Sequence, residues 1–555
     1  MRSKATSLAL ALVLLLASGV VFWLLHAEIP LAGPRERSPA ALPTNGVRSG
    51  VWWTHSLDIH ATRQAPRPLI RRRAPPGVEP PAALASAPRD AIPGEFVLRF
   101  AGAFEQEQFL RAAKAAGISV LGQAAFGHAV RVKAKDRAAL DALLRQTPTP
   151  VDLSPNYFVR LPAPRTRNPQ ASEEGYVGFG TRSLQWLGVR DNDRWGGGVT
   201  VAVLDTGVQN HPSLDNARIS RLDLLPESAN SPNPHATAVA SLIAGTSGEL
   251  EGIAPQASIL SVRVMDENGL GDTFTVAEGV MAAVDRGAKV INLCLGSYGD
   301  CPLLRDAVAH ANECGVVVVA SAGNDAVEGV LFPAAYDSVV AVAGVDAADR
   351  HLYFSNRGDA VDLSAPGIGI AAASLDDGAA LFSGTSAAAP FVSGAVASLL
   401  AANPGMRGEQ AVEILMRNAD DAGPPGRDDE YGAGILDMQR VAERNTRGIY
   451  DMAAADAMLH TDEAGNLVAT FTAQNRGTED LRGVVMDITA PGASQSAYFD
   501  GVAVGQTVSH DMIVSRVDIE RSGQLRLKWT VELRNATDVR PENNTRTLTL
   551  TAPGQ

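Results

Sequence analysis

Val199-Thr200-Val201-Ala202-Val203-Leu204-Asp205-Thr206-Gly207 is the stretch on which the fold turns. From Val199 to Leu204 every residue is apolar or β-branched. A strand with one wet face alternates apolar and polar residues, so this run reads as a strand covered on both faces. It ends in a carboxylate and a glycine turn. The same texture returns at Ile259 to Val264, Val290-Ile291-Asn292-Leu293 and Val316 to Ala320. Helical stretches such as Thr273 to Arg286 and Pro302 to Asn312 lie between them. Buried strands alternating with helices predict an α/β domain over 184–447, a parallel sheet with helices on both faces.

Functional groups in such sheets gather at the carboxyl ends of the strands. That rule selects Asp205 after the first strand, His235 opening the apolar helix His235-Ala236-Thr237-Ala238-Val239-Ala240, and Asn324 in Ala320-Ser321-Ala322-Gly323-Asn324. It also selects Ser386 in Ser383-Gly384-Thr385-Ser386-Ala387-Ala388-Ala389-Pro390, at the start of a helix of small residues. These residue types make one chemistry together. A serine hydroxyl needs a base to take its proton, and histidine titrates near neutrality. A buried aspartate fixes the imidazole tautomer, and an asparagine amide donates to the oxyanion of a tetrahedral intermediate. The start of the serine helix adds backbone N–H groups and a positive dipole end. Each piece alone is weak; an Asp-Thr-Gly is more often a turn, and Gly-Thr-Ser is common in loops.

With these residues quoted, the chain resembles the subtilisin-like serine proteases, the subtilases. Val203-Leu204-Asp205-Thr206-Gly207-Val208 is similar to the family's aspartate motif, Gly384 to Pro390 to its serine motif, and Ala322-Gly323-Asn324 to its oxyanion motif. Gly252-Ile253-Ala254-Pro255, Phe332-Pro333-Ala334, Phe354-Ser355-Asn356 and Leu363-Ser364-Ala365-Pro366-Gly367 extend the likeness across the core. The resemblance implies a subtilisin-like sheet, a triad of Asp205, His235 and Ser386, and an oxyanion site at Asn324. It also implies that a peptide adds as a strand to Leu295, Gly296 and Ser297, with Ser321, Ala322 and Gly323 walling a roomy pocket beside it. Structural calcium is frequent in the family, but no oxygen-rich ligand loop is found here; the chemistry requires no cofactor. Three positions depart from the family pattern. His-Gly-Thr-His is here His235-Ala236-Thr237-Ala238, Ala387 replaces a common Met, and Cys294 stands where many relatives have Ser.

The flanks read as further units, as 555 residues exceed what one core needs. Arg2 and Lys4 precede an apolar run from Leu8 to Leu25, which predicts a signal peptide or membrane anchor over 1–29 and an extracytoplasmic protein. Residues 30–91 are rich in Pro and Arg and read as a solvated linker. Residues 92–162 follow a β-α-β-β-α-β order, the ferredoxin-like pattern. By resemblance this unit is a propeptide that chaperones and inhibits the core, cut away between Leu161 and Gly180 across the 163–183 linker. Residues 458–555 turn to alternating strands and predict an immunoglobulin-like β-sandwich, similar to CARDB-type adhesion modules. The partner of that unit is unknown.

Cys301 and Cys314 flank a predicted helix and stand about 18 Å apart, beyond disulfide reach. A Cys294–Cys301 pair stays open, with free buried thiols as the expectation. A net charge of −13 argues against nucleic acid as the main partner. The leading reading is a self-processed serine endopeptidase acting on proteins or peptides. A noncatalytic surface binding protein on the same scaffold and a specialised maturase or peptide ligase are the alternatives.

Overall fold

The computed structural model describes residues 48–49, 89–147, 149–162, 175–226, 233–515 and 524–551. The expected targeting segment, most of the linker after it, and residues 163–174 lie outside these.

The described chain opens with β1 (Ala91–Arg99), α1 (Ala103–Ala115), β2 (Ser119–Ala124), β3 (Ala129–Lys133), α2 (Arg137–Leu144) and β4 (Asp152–Arg160). The strands pair antiparallel in the order β4-β1-β3-β2. One face of this sheet makes a core of its own with the helices, through Leu98, Phe109, Val130, Val132 and Leu140. The other presents Val97, Ala129, Tyr157 and Val159 to the next unit.

That unit is built on β5 (Thr200–Asp205), β6 (Arg218–Asp223), β7 (Ser258–Arg263), β9 (Val290–Leu293), β10 (Val317–Ser321), β11 (Val339–Val345) and β12 (Val361–Pro366). These seven strands are parallel and run β12-β11-β10-β9-β5-β7-β6. A short strand, β8 (Leu270–Asp272), stands apart and pairs antiparallel with β4, and β13 (Ile370–Ala373) and β14 (Ala379–Phe382) form a separate antiparallel pair. Successive residues of β5 are sorted to opposite layers. Val201 and Val203 pack beneath α3 (His235–Ala244) and α6 (Thr385–Ala402), whereas Ala202 and Leu204 pack beneath α4 (Thr273–Asp285) and α5 (Pro302–Glu313). Each such side chain contributes roughly 1.5–3 kcal/mol when fully buried, so a strand apolar at every position is held from both sides. The strand order reverses at β5, which puts the end of β5 beside the crevice where parallel sheets place their functional groups.

α6 is apolar and long enough to cross a membrane, but 83% of it is buried inside the protein, as a core helix. Its small residues let it lie close. A methyl added at Gly394 would stand 2.1 Å from Cγ2 of Ile253. Below, Ser393 donates to Asn292 on β9 at 2.8 Å and pins the helix to the sheet.

The last unit holds two sheets, antiparallel except for one short parallel edge strand, around Phe471, Met486, Leu527 and Trp529. One contains β15 (Met452–Thr461), β16 (Leu467–Asn475) and β19 (Thr507–Ile513). The other contains β17 (Leu481–Ala490), β18 (Ala493–Val502), β20 (Gln524–Leu533), β21 (Thr545–Thr551) and the two-residue strand Arg48–Ser49 at its edge. β15 begins ahead of the expected boundary at 458. The unit is tied to the parallel-sheet domain by Arg476 on Asp420, by Gln474 accepting from the Asp421 N–H at 3.0 Å, and by Arg540, which bridges Glu443 and Asp451.

Candidate active site

Asp205 ends β5 and is wholly buried. Both of its oxygens face Nδ1 of His235, at 2.8 and 3.0 Å. Oδ1 also accepts from the backbone N–H of Thr206 at 2.7 Å and from its hydroxyl at 3.1 Å. A buried carboxylate needs such donors to stay charged. A carboxylate only accepts, so Nδ1 carries the proton and Nε2 of the neutral ring is left as the basic atom. His235 is the first residue of α3, and its N–H is capped by the Asn233 side chain at 2.9 Å. The ring meets Phe382 edge-on, with centroids 5.3 Å apart. Ala236, in the position where the family motif has glycine, is fully buried, and the Asp–His contact stands beside it.

Ser386 is the second residue of α6. Its hydroxyl is buried and has no hydrogen-bond partner among the described residues. Gly384, just before the helix, has φ of +126°, and a methyl there would stand 2.8 Å from Nδ2 of Asn324. Only glycine suits that backbone and that approach. Asn324 is held from one side: its Oδ1 accepts from the Thr385 N–H at 3.0 Å and from the Thr385 hydroxyl at 2.9 Å. The Thr385 hydroxyl in turn accepts from the Gly323 N–H at 3.2 Å. With Oδ1 occupied, Nδ2 turns outward as a donor and meets the carbonyl oxygen of Pro162. Thr385 was quoted in the serine motif without a role; it orients the asparagine.

The end of β4, with Leu161 and Pro162 after it, lies in the crevice. Arg160 and Gly296 exchange both backbone hydrogen bonds, at 3.0 and 2.9 Å. On the opposite edge β8 pairs Leu270 with Arg160, Gly271 with Val159 and Asp272 with Phe158, and the Leu161 N–H donates to Gly269 at 3.1 Å. This second wall was not legible in the sequence. The expected substrate-binding residues divide. Gly296 pairs with the strand in the crevice and Gly323 is buried against Thr385 and Asn356, whereas the Leu295 side chain is buried in the core and Ser297 bonds back to Phe332 at 2.9 Å. Ser321 and Ala322 are buried at the end of β10, and Ala322 bonds to Val342 and Leu331. Leu331 packs against the segments expected to wall the pocket. Methyls added at Gly296 and Gly323 would stand 2.6 and 2.9 Å from its Cδ1.

All three cysteines are free, which excludes the Cys294–Cys301 pair, and Cys314 is exposed rather than buried. Cys314 caps the carboxyl end of α5, on the outside of the fold. Cys294 lies beneath the serine helix, its Sγ 3.4 Å from the carbonyl oxygen of Ser386. Burial, reinforced by the charge of Asp205, pushes its thiol well above the usual range, so it is a core hydrophobe rather than a thiolate nucleophile. Among the described residues, no group of three or more His, Cys, Asp or Glu side chains is placed to hold a metal ion.

The core of this chain is similar to known proteins. Residues 196–434 match the subtilase family. Thermitase of Thermoactinomyces vulgaris is 41% identical over 37% of this chain and 76% of its own. A thermostable alkaline protease of Halalkalibacterium halodurans is 32% identical over 50% of this chain and 76% of its own. The minor extracellular protease Epr of Bacillus subtilis is 35% identical over 44% of this chain and 39% of its own.

Proposed function

The chain belongs to the subtilase family and is a serine endopeptidase, and on that premise we propose that Asp205, His235 and Ser386 are its catalytic triad and Asn324 its oxyanion donor. In this reading His235 Nε2 takes the proton of Ser386 as its oxygen attacks the carbonyl carbon of the bond to be cut. The tetrahedral oxyanion is held by Asn324 Nδ2, whose direction Thr385 sets. The imidazolium, stabilised by Asp205, gives its proton to the leaving amine, and the acyl-enzyme on Ser386 is then hydrolysed by water through the same base. Acyl transfer of this kind needs no cofactor.

One observation carries the reading furthest: the carbonyl of Pro162 accepts from Asn324, while Arg160 and Leu161 are paired into the crevice as a substrate strand would be. We take residues 92–162 to be a ferredoxin-like propeptide whose tail inhibits the enzyme until it is cut, and the bond presented is Pro162–Ala163. The targeting segment at 1–29 places the enzyme outside the cytoplasm, secreted or held by a membrane anchor, where it meets protein and peptide substrates. We take the two-sheet unit after the core to be a β-sandwich of the immunoglobulin-like class, similar to CARDB modules.

The test is the amino terminus of the processed enzyme. Expressed wild-type protein should yield a core starting at Ala163, while Ser386→Ala stays joined to its N-terminal unit. Equal processing of both proteins would make another protease responsible and remove the self-cleavage step.

A further inference from the structure

We infer that Leu331 sets the substrate class of this protease, by closing the pocket for the side chain before the scissile bond so that only residues about the size of proline or smaller precede the cut. The inference rests on the reading of the Pro162 carbonyl as the acyl group presented to Ser386.

The tail fixes the frame. Arg160 is paired with Gly296, Leu161 donates to Gly269, and the Pro162 carbonyl sits on Asn324. A side chain at position 162 therefore enters between the Gly296 strand and the Gly323 segment. Leu331 already stands there. An added methyl would stand 2.6 Å from Leu331 Cδ1 at Gly296; at Gly323 it would stand 2.4 Å from Asn356 Nδ2 and 2.9 Å from Leu331 Cδ1, so the leucine side chain occupies the space beside both glycines.

Leu331 is not free to leave. Its N–H donates to Ala322 at 3.1 Å, and the next residue, Phe332, exchanges both backbone bonds with Ser297 at 2.9 Å. It is 6% exposed. A phenylalanine or leucine before the cut would have to displace it from a packed wall, which close-packed interiors resist.

Proline suits such a site for two reasons. Its ring is compact, and it has no N–H to leave unpaired once strand pairing stops at Leu161. The preceding position is unlike it: the Leu161 side chain lies over Gly269, where a methyl would come within 2.6 Å of its Cδ1. The crevice thus accepts a large apolar residue one position earlier and a small one at the cut.

The experiment uses the self-processed enzyme, with active sites counted by a fluorophosphonate probe. kcat/KM is measured on matched peptides carrying Pro, Ala, Leu or Phe before the cut bond. Single methylenes in apolar pockets discriminate by about 10–200-fold. Wild type should therefore favour Pro and Ala over Phe by about 30-fold or more. Leu331→Gly should raise the Phe value about 10–100-fold and leave Ala within a few-fold. Removing a buried leucine destabilises, so the wild-type cleavage profile on a denatured protein, read by mass spectrometry, decides independently. Labelled enzyme that cuts preferentially after Phe or Leu, or a folded Leu331→Gly enzyme with unchanged preference, overturns the inference and leaves the catalytic reading standing. Folded protein freed of its N-terminal unit that takes no label overturns both.

Discussion

At the residue scale the site is a chain of orientations. Asp205 fixes His235, and Thr385 fixes Asn324, each through hydrogen bonds that leave one outward-facing atom. Asp205→Asn presents an N–H to the ring and reverses its tautomer, so kcat should fall by about 10⁴-fold in a folded protein. Steady-state kinetics with active-site titration measure it, and a loss under tenfold would remove Asp205 from the mechanism. Asn324→Ala should lower kcat by about 10²–10³-fold with KM little changed, as expected of a donor that acts on the transition state. The four residues proposed for catalysis could be picked out because each stands at a strand end or helix start with its motif around it. Thr385 and Leu331 could not. Their roles depend on which side chain the fold brings against them, across gaps in sequence that no local pattern records.

At the element scale the serine helix must sit on the sheet at a fixed height, and glycine sets that height. Alanine at position 394 would favour a helix by up to about 1 kcal/mol over glycine. Its methyl, however, would meet Ile253 at 2.1 Å, and overpacking of this kind costs roughly 1–3 kcal/mol. The clash outweighs the propensity, so Gly394→Ala should lower the melting temperature, and activity should fall with it as Ser386 shifts. A higher melting temperature with full activity would show that the helix has room to spare. Four of the seven parallel strands, β5, β7, β9 and β10, were read from their near-continuous apolar runs; β6, β11 and β12 were not named, and β6 (Arg218-Ile219-Ser220-Arg221-Leu222-Asp223) carries too many polar residues to show such a run. β15, Met452–Thr461, escaped because its alanine-rich sequence carries few β-branched or aromatic residues. β8 escaped because three residues, two of them Leu270 and Gly271, carry no strand signal until β4 pairs with them.

At the scale of the whole molecule, the end of the core and the last unit meet around a set of carboxyl groups. Burial, with the charges of Glu430 and Asp421 added, pushes the Asp428 carboxyl up to about 7. Burial likewise raises Asp421 to about 6. Each group binds a proton more tightly folded than unfolded, where the carboxyl keeps its ordinary value of 3.8. Their contribution to stability is therefore full below about pH 4 and is lost as pH rises through 6 to 7. Asp428→Asn keeps the acceptor for the Glu430 and Tyr431 N–H groups and cannot ionise. Its melting temperature relative to wild type should rise between pH 4 and pH 8; a constant difference would mean that Asp428 does not titrate in that window. Shifts in texture along the chain are what suggest three units in the sequence. How the tail of the first reaches the crevice of the second was not legible there, because Pro162 and Asn324 stand 162 residues apart in sequence. The central claim is that Ser386 is an activated nucleophile. Its most direct test is a fluorophosphonate probe applied to the purified, processed protein, with intact mass and peptide mapping as the readout. One adduct is expected, on Ser386, absent from Ser386→Ala and strongly slowed in His235→Ala. A folded wild-type protein, free of its N-terminal unit, that takes no label or takes it on another residue would contradict it.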